Sequence, residues 1–158
     1  MTVEAASSGD DAQACVRLDD QLCFAVFTAS AALVRAYRPL LGELGLSYQQ
    51  YVALMVLWEG DVVAVGTLAG RLRLPLNGVS PVLDRLEDAG LLERRRGWPD
   101  RRVIQVALTE AGRALEARAA HVRDEVRCRT GLEPDTVAQL RDQLHALTTA
   151  LTQTSPPP

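Results

Sequence analysis

No stretch of this 158-residue chain approaches the roughly 20 uncharged apolar residues that cross a bilayer. The first thirteen residues, acidic and serine-rich, lack the charged-then-apolar order of an export signal. A membrane protein is therefore not expected, and the cytoplasm is the expected location. Cysteine is also scarce, with only Cys15, Cys23 and Cys128. Three thiols in a reducing compartment read as free groups open to redox chemistry rather than as a disulfide framework. Histidine is scarcer still: His121 and His145 have no Cys, His or carboxylate partner at a ligand spacing, so no metal or other cofactor is expected and both read as helix-surface residues. The chain carries no internal repeat, and its net charge of −3 argues against indiscriminate nucleic-acid binding, which needs a broadly basic surface.

Lysine is missing altogether, so all 17 basic residues are arginine. Their distribution matters more than their sum. Arg94, Arg95, Arg96, Arg101 and Arg102 fall within nine positions that hold a single acid, Asp100. With 47% apolar residues the chain is globular, and its length suits one domain with a substantial core.

Apolar periodicity gives a mainly helical outline. Cys23, Phe27, Ser30, Val34, Tyr37 and Leu41 recur at steps of three and four, so one helix is expected over about 18–41, bent or ended by Pro39. Ser47 should cap a second helix over 48–59, with Val52, Leu54, Met55, Leu57 and Trp58 in the core. Val63–Val65 suits a short edge strand and Thr67–Leu72 a short helix. Leu76–Ala89 suits a longer helix, capped by Asn77 or Ser80, with Pro81 in or near its first turn and Gly90 as its left-handed stop. Two strand-like runs, 91–95 and 103–108, flank a Gly-, Pro- and Asp-containing turn with an arginine-studded tip. Thr109 and Glu110 should open a long helix to about residue 130, with Ala111, Leu115, Ala119, Val122 and Val126 on one stripe. A last helix is expected over 134–151, carrying Val137, Leu140, Leu144, Leu147 and Leu151. Residues 1–17 and 152–158 read as flexible tails around a single domain, 18–151.

Helix, turn, helix and hairpin in that order describe a winged helix-turn-helix over about 61–109, with dimerisation helices over about 18–45 and 109–151. The helix from Leu76 would enter a DNA major groove, whose width of about 12 Å matches a helix with its side chains. The hairpin arginines would grip phosphates or a neighbouring minor groove. Candidate contacts are Asn77, Ser80, Arg85, Arg94, Arg95, Arg96, Asp100, Arg101 and Arg102. Asn77 suits an adenine edge and Ser80 a base or phosphate, or else either is only a helix cap. Asp84 would repel phosphates unless it turned away, paired with an arginine or accepted from a cytosine amino group.

Cys23 has two readings. Near a helix start, with an aspartate at the cap and backbone N–H groups lacking intrahelical partners, a thiolate is favoured and the residue suits a sensor. Alternatively it is a small buried hydrophobe.

The run Asp100–Thr109 resembles the wing motif of MarR-family transcriptional regulators, with Asp, any residue, Arg, an apolar strand and Leu-Thr. The resemblance covers nearly all of 18–151. It implies a homodimer joined by its first and last two helices on a pseudo-palindromic operator, with Asp100 fixing the wing and Arg102 reaching the DNA. Leu18–Ala25, Ala36–Leu41 and Leu46–Tyr51 are more specifically similar to the organic-hydroperoxide resistance repressors within that family, in the two-cysteine subgroup. That likeness implies that Cys23 reacts with peroxide, that Tyr37 and Tyr48 hydrogen-bond its sulfur, and that Cys128 resolves the oxidised form across the dimer. A low-molecular-weight thiol capping Cys23, with Cys128 passive, remains open, and Cys15 matches nothing. Phe27 stands where some of that group carry another tyrosine.

Cys23 and Tyr37 lie fourteen residues apart on one helix, about 21 Å at 1.5 Å per residue, so this phenol would have to come from the other subunit. An apolar face around the sulfur would favour organic hydroperoxides over hydrogen peroxide, at about 0.8 kcal/mol per buried methylene. The expected function is thus a repressor that releases DNA when Cys23 is oxidised. The alternatives are release by a non-covalently bound phenolic ligand, with Cys23 inert, and a thiol peroxidase, for which a recognition helix and wing would be idle, so no enzyme is expected.

Overall fold

The computed structural model describes residues 17–97, 100 and 102–154. A 3-10 turn over Leu18–Asp20 leads into α1 (Leu22–Gly42), followed by α2 (Tyr48–Gly60), β1 (Val62–Ala64), α3 (Val65–Leu72), α4 (Leu76–Asp88), β2 (Leu92–Arg96), β3 (Ile104–Leu108), α5 (Glu110–Arg129) and α6 (Pro134–Thr154). It is a mainly helical winged helix-turn-helix, as the order of sequence signals implies. Two compact units, Met1–Arg113 and Ala114–Pro158, divide the chain, and the boundary falls within α5. No helix among the described residues is long and apolar enough to cross a membrane.

Local chemistry explains most boundaries. Ser47 Oγ accepts from the Gln50 backbone N–H at 3.3 Å while Gln50 Oε1 accepts from the Ser47 N–H at 2.7 Å, a reciprocal cap that starts α2 where expected. At the end of α4, Gly90 takes φ +69°, its N–H reaching the Glu87 carbonyl and Leu91 N–H the Leu86 carbonyl. A side chain would be strained in that left-handed stop.

Several expectations need correction. The α1 cap is Gln21, not an aspartate, and no side chain caps that end; Asp19 and Asp20 belong to the preceding turn. Pro39 does not stop α1, which runs three residues further, because losing one N–H near the C-terminal end forfeits a single helical bond. Neither Asn77 nor Ser80 caps α4: Pro75 holds the cap position, its fixed φ of −67° suiting entry to the helix, and both polar residues lie inside. Pro81 is the sixth helical residue, beyond the first turn. The short strand is Val62–Ala64, and Val65 already belongs to α3. The last helix extends through Thr154, three residues beyond the expected end at Leu151, and residues 1–16 and 155–158 of the expected tails lie outside the described residues.

The sheet order is β1-β3-β2, antiparallel throughout, with Val63 opposite Val106 and Arg94 opposite Val106 on the other side. Its inner face and the helices around it form the core of the first unit, where Leu54, Leu57, Leu68, Val79, Leu83, Leu86 and Val106 are fully buried. Each such side chain contributes about 1.5–3 kcal/mol of transfer free energy. Val52 and Trp58 are only half-buried and Met55 is exposed, while Tyr51, Ala53 and Val56 take the buried positions of α2. Leu54 and Leu57 are buried as expected, and the rest of the buried face of α2 is shifted from the expected one. Leu115, Ala119, Val122 and Val126 of α5 are buried, whereas Ala111 is exposed.

Candidate DNA interface and thiol site

The helix-turn-helix is α3, a turn and α4. Arg73, at φ +53°, occupies the left-handed position that closes α3, and Leu74–Pro75 carry the chain into α4. Val79, Val82, Leu83 and Leu86 fix one face of α4 in the core. This leaves Leu76, Asn77, Ser80, Asp84 and Arg85 exposed. Asn77, Ser80 and Arg85 therefore stand on the surface of the helix that would enter a groove, and their successive spacings of 3 and 5 residues keep them within one broad face.

Arg94 behaves differently from the other wing arginines. From β2 its guanidinium turns onto α4, where Nη2 donates to Asp84 Oδ1 at 2.6 Å and Nη1 to Glu87 Oε2, while its backbone N–H donates to Glu87 Oε1 at 3.0 Å. Burial alone would lower the guanidinium's pKa, but the bonds to Asp84 and Glu87 outweigh it and hold the value above the ordinary one. This resolves the Asp84 problem: its charge is met by arginine. Arg94, named from sequence as a DNA contact, is placed as the tie between wing and recognition helix.

Removing it by Arg94→Ala is expected to cost about 1–2 kcal/mol in urea unfolding, since two carboxylates lose charged hydrogen bonds. Arg95 pairs with Glu93 on an exposed strand face, so Arg95→Ala should stay within about 0.5 kcal/mol of wild type. Equal effects of the two would show that the Arg94 tie does not hold the wing.

Asp100 organises the end of the wing turn. Its Oδ1 accepts from the Arg102 N–H at 2.9 Å and from Arg102 Nε at 3.3 Å, and its carbonyl accepts from Val103 N–H at 3.2 Å. The Arg102 side chain is nonetheless 92% exposed, so its remaining donors face solvent. Arg96 is exposed at the end of β2. Arg101 lies outside the described residues, as does Cys15.

Cys23 is the second residue of α1 and is exposed. The first intrahelical bond runs from the Ala25 N–H to the Gln21 carbonyl, so Cys23 lies among backbone donors that the helix itself does not satisfy. The buried-hydrophobe reading of Cys23 is not what is found. Cys128 is exposed in the last turn of α5. α1 runs unbroken from Cys23 past Tyr37, which keeps the two at the helical separation of about 21 Å.

Tyr37 and Tyr48 are brought together, with ring centroids 5.3 Å apart at 55°. Tyr37 also meets Tyr51 at 5.7 Å, and Tyr51 meets Trp58 edge-on at 6.3 Å. The sequence reading did not single out the contacts of Tyr51 and Trp58; their seven-residue spacing, two helical turns on one face, was the available signal. It also missed Gly112, whose only mark was a glycine in an otherwise strong helical run.

A family model for the transcriptional regulator SarA/Rot matches residues 35–118. The chain is 40% identical over 144 residues to the HTH-type transcriptional regulator TtmR of Methylorubrum extorquens, covering 87% of this chain and 72% of that one. It is 32% identical over 138 residues to the organic hydroperoxide resistance transcriptional regulator of Bacillus subtilis, covering 87% and 94%. The chain belongs to the SarA/Rot/MarR-type family of transcriptional regulators. Among solved structures, this MarR-type regulator resembles reduced AbfR bound to DNA, with a TM-score of 0.72, 28% identity and coverage of 89% and 98%. It likewise resembles CouR of Rhodococcus jostii RHA1 bound to p-coumaroyl-CoA, with a TM-score of 0.75, 26% identity and coverage of 84% and 94%.

Proposed function

We propose that this regulator is a homodimeric repressor of the organic-hydroperoxide type, which holds a pseudo-palindromic operator while Cys23 is reduced and releases it on oxidation. The observation that carries the reading is the exposed Cys23 thiol in the first turn of α1, on the same helix as Tyr37, whose ring lies against Tyr48. The 32% identity to the B. subtilis peroxide regulator supports the same chemistry. Exposed Leu22, Phe27, Leu33 and Val34 on α1, and Leu140, Leu144 and Leu151 on α6, suit burial against a second copy. In that dimer the Tyr37–Tyr48 pair of one protomer serves the sulfur of its partner. Asn77, Ser80 and Arg85 on α4 face the groove, while Arg95, Arg96, Arg101 and Arg102 on the wing meet the backbone.

The Cys23 thiolate attacks one peroxide oxygen, the O–O bond breaks, and sulfenic acid forms as the alkoxide leaves and takes up a proton to give the alcohol. Cys128 of the partner then attacks the sulfenic sulfur and forms a disulfide with loss of water. A disulfide demands a Cα separation of about 4.4–6.8 Å, so the bridge enforces a shape incompatible with operator spacing.

Mass analysis of the cumene-hydroperoxide-treated protein tests this. Without reductant, a covalent dimer mass two hydrogens lower per bridge, with a Cys23–Cys128 peptide joining two chains, is expected alongside operator release. Release with both cysteines unmodified would reject it. The second reading, release by a phenolic ligand, draws on the CouR likeness and predicts that p-coumaroyl-CoA alone frees the operator.

A further inference from the structure

We infer that Trp58 is a positioning residue that carries displacement of the Tyr37–Tyr48 pair to the point where recognition helix and wing are joined. The inference rests on the peroxide-sensing reading above and adds to it the route inside one protomer. The four rings form an unbroken series, Tyr48 to Tyr37 to Tyr51 to Trp58, with centroid separations of 5.3, 5.7 and 6.3 Å. Tyr51 is 3% exposed, so its ring has little room to absorb a shift of its neighbours. The series ends in a directed bond: Trp58 Nε1 donates to the Gly112 carbonyl at 2.9 Å, across 54 residues of chain.

Gly112 cannot move alone. A Cβ there would stand 2.0 Å from the Leu91 carbonyl oxygen and 3.0 Å from Leu108 Cδ2, so the first turn of α5 rests directly on the start of the wing. Its N–H donates to Thr109 Oγ1 at 3.1 Å, and that hydroxyl donates to the Gly90 carbonyl at 2.6 Å. The Thr109 N–H donates to the Leu91 carbonyl at 3.1 Å. Gly90 and Leu91 are the two residues between the end of α4 and the start of β2 that this seat grips. A push on the indole is therefore delivered to both DNA-facing elements at their junction. Packed contacts of this kind shift as units rather than deforming gradually.

The test is Trp58→Phe in the full-length protein, which keeps an aromatic ring and removes the donor. Cys23 oxidation by cumene hydroperoxide, read by mass, should match wild type, and reduced operator affinity should change less than about threefold. Oxidation should lower affinity less than about tenfold, against about 100-fold for wild type. Equal release by oxidised Trp58→Phe and wild type overturns the relay and leaves peroxide sensing standing. Wild type that stays bound after Cys23 oxidation overturns the sensing reading itself. Should Trp58→Phe not fold, Trp58 emission in a Trp98→Phe background decides: a peroxide-induced change that Cys23→Ser abolishes supports the relay. Emission that stays fixed while the operator is released overturns it.

Discussion

Cys23→Ser is expected to bind operator as the reduced wild type does and to ignore cumene hydroperoxide. Serine is close to cysteine in size and still offers the partner's phenols an acceptor, and Cys23 takes no part in the described α4 or wing contacts, so its replacement should alter reduced affinity by no more than about twofold. A serine hydroxyl has no accessible anion near neutrality and is not oxidised by peroxide, so the first step of the switch is lost outright. Wild-type affinity should fall about 100-fold on oxidation, near the upper end of ordinary allosteric coupling, and the variant's should not fall at all. Operator titration by fluorescence anisotropy, before and after peroxide, measures both. Release of Cys23→Ser by the same peroxide would remove the thiol from the mechanism.

The two cysteines need not fail alike. In Cys128→Ser the sulfenic acid still forms, because its formation needs only the Cys23 thiolate and the peroxide. If added low-molecular-weight thiol restores full release to that variant, small-thiol capping suffices for the switch. If it does not, the bridge itself supplies the shape change.

Elements written in short-range chemistry were legible in the sequence. The Ser47 cap, the Gly90 stop and the helix-to-hairpin order depend on neighbours within a few residues, so local residue types reveal them. Arg94 could not be assigned in the same way. Its position in an arginine cluster gave it the same sequence signature as Arg95 and Arg96, yet alternation along β2 turns it toward α4, where Asp84 and Glu87 wait one helical turn apart. Its role depends on how strand and helix pack, which no local pattern states. The shifted face of α2 has a similar origin. Its apolar residues run unbroken from Tyr51 to Trp58, so periodicity alone could not choose between Met55 and Val56 as the buried side chain. The position of Cys23 near a helix start was legible in the sequence, whereas its exposure and the contact of Tyr37 with Tyr48 had to come from the packing of α1 and α2.

Gly112→Ala should give the largest loss of stability among single substitutions in the first unit. The added methyl would fall 2.0 Å from the Leu91 oxygen, a backbone atom that cannot swing aside like a side-chain terminus. Relief requires α5 to lift from the wing base, which strains the Trp58 bond to the Gly112 carbonyl and the Thr109 bonds to Gly90 and Leu91. Overpacking with accompanying polar loss puts the destabilisation at about 3 kcal/mol or more, or roughly 10 °C in melting temperature. Gly66 supplies the control. It also lies in a helix, α3, but nothing stands within 4 Å of its Cβ position, so Gly66→Ala should be neutral or stabilising by about 0.4–1 kcal/mol. Calorimetric melting of the two variants separates steric exclusion from helix propensity, because propensity alone would favour alanine at both positions. A Gly112→Ala protein that melts with wild type would mean that the seat of α5 on Leu91 yields easily, and a yielding seat could not transmit a push from Trp58.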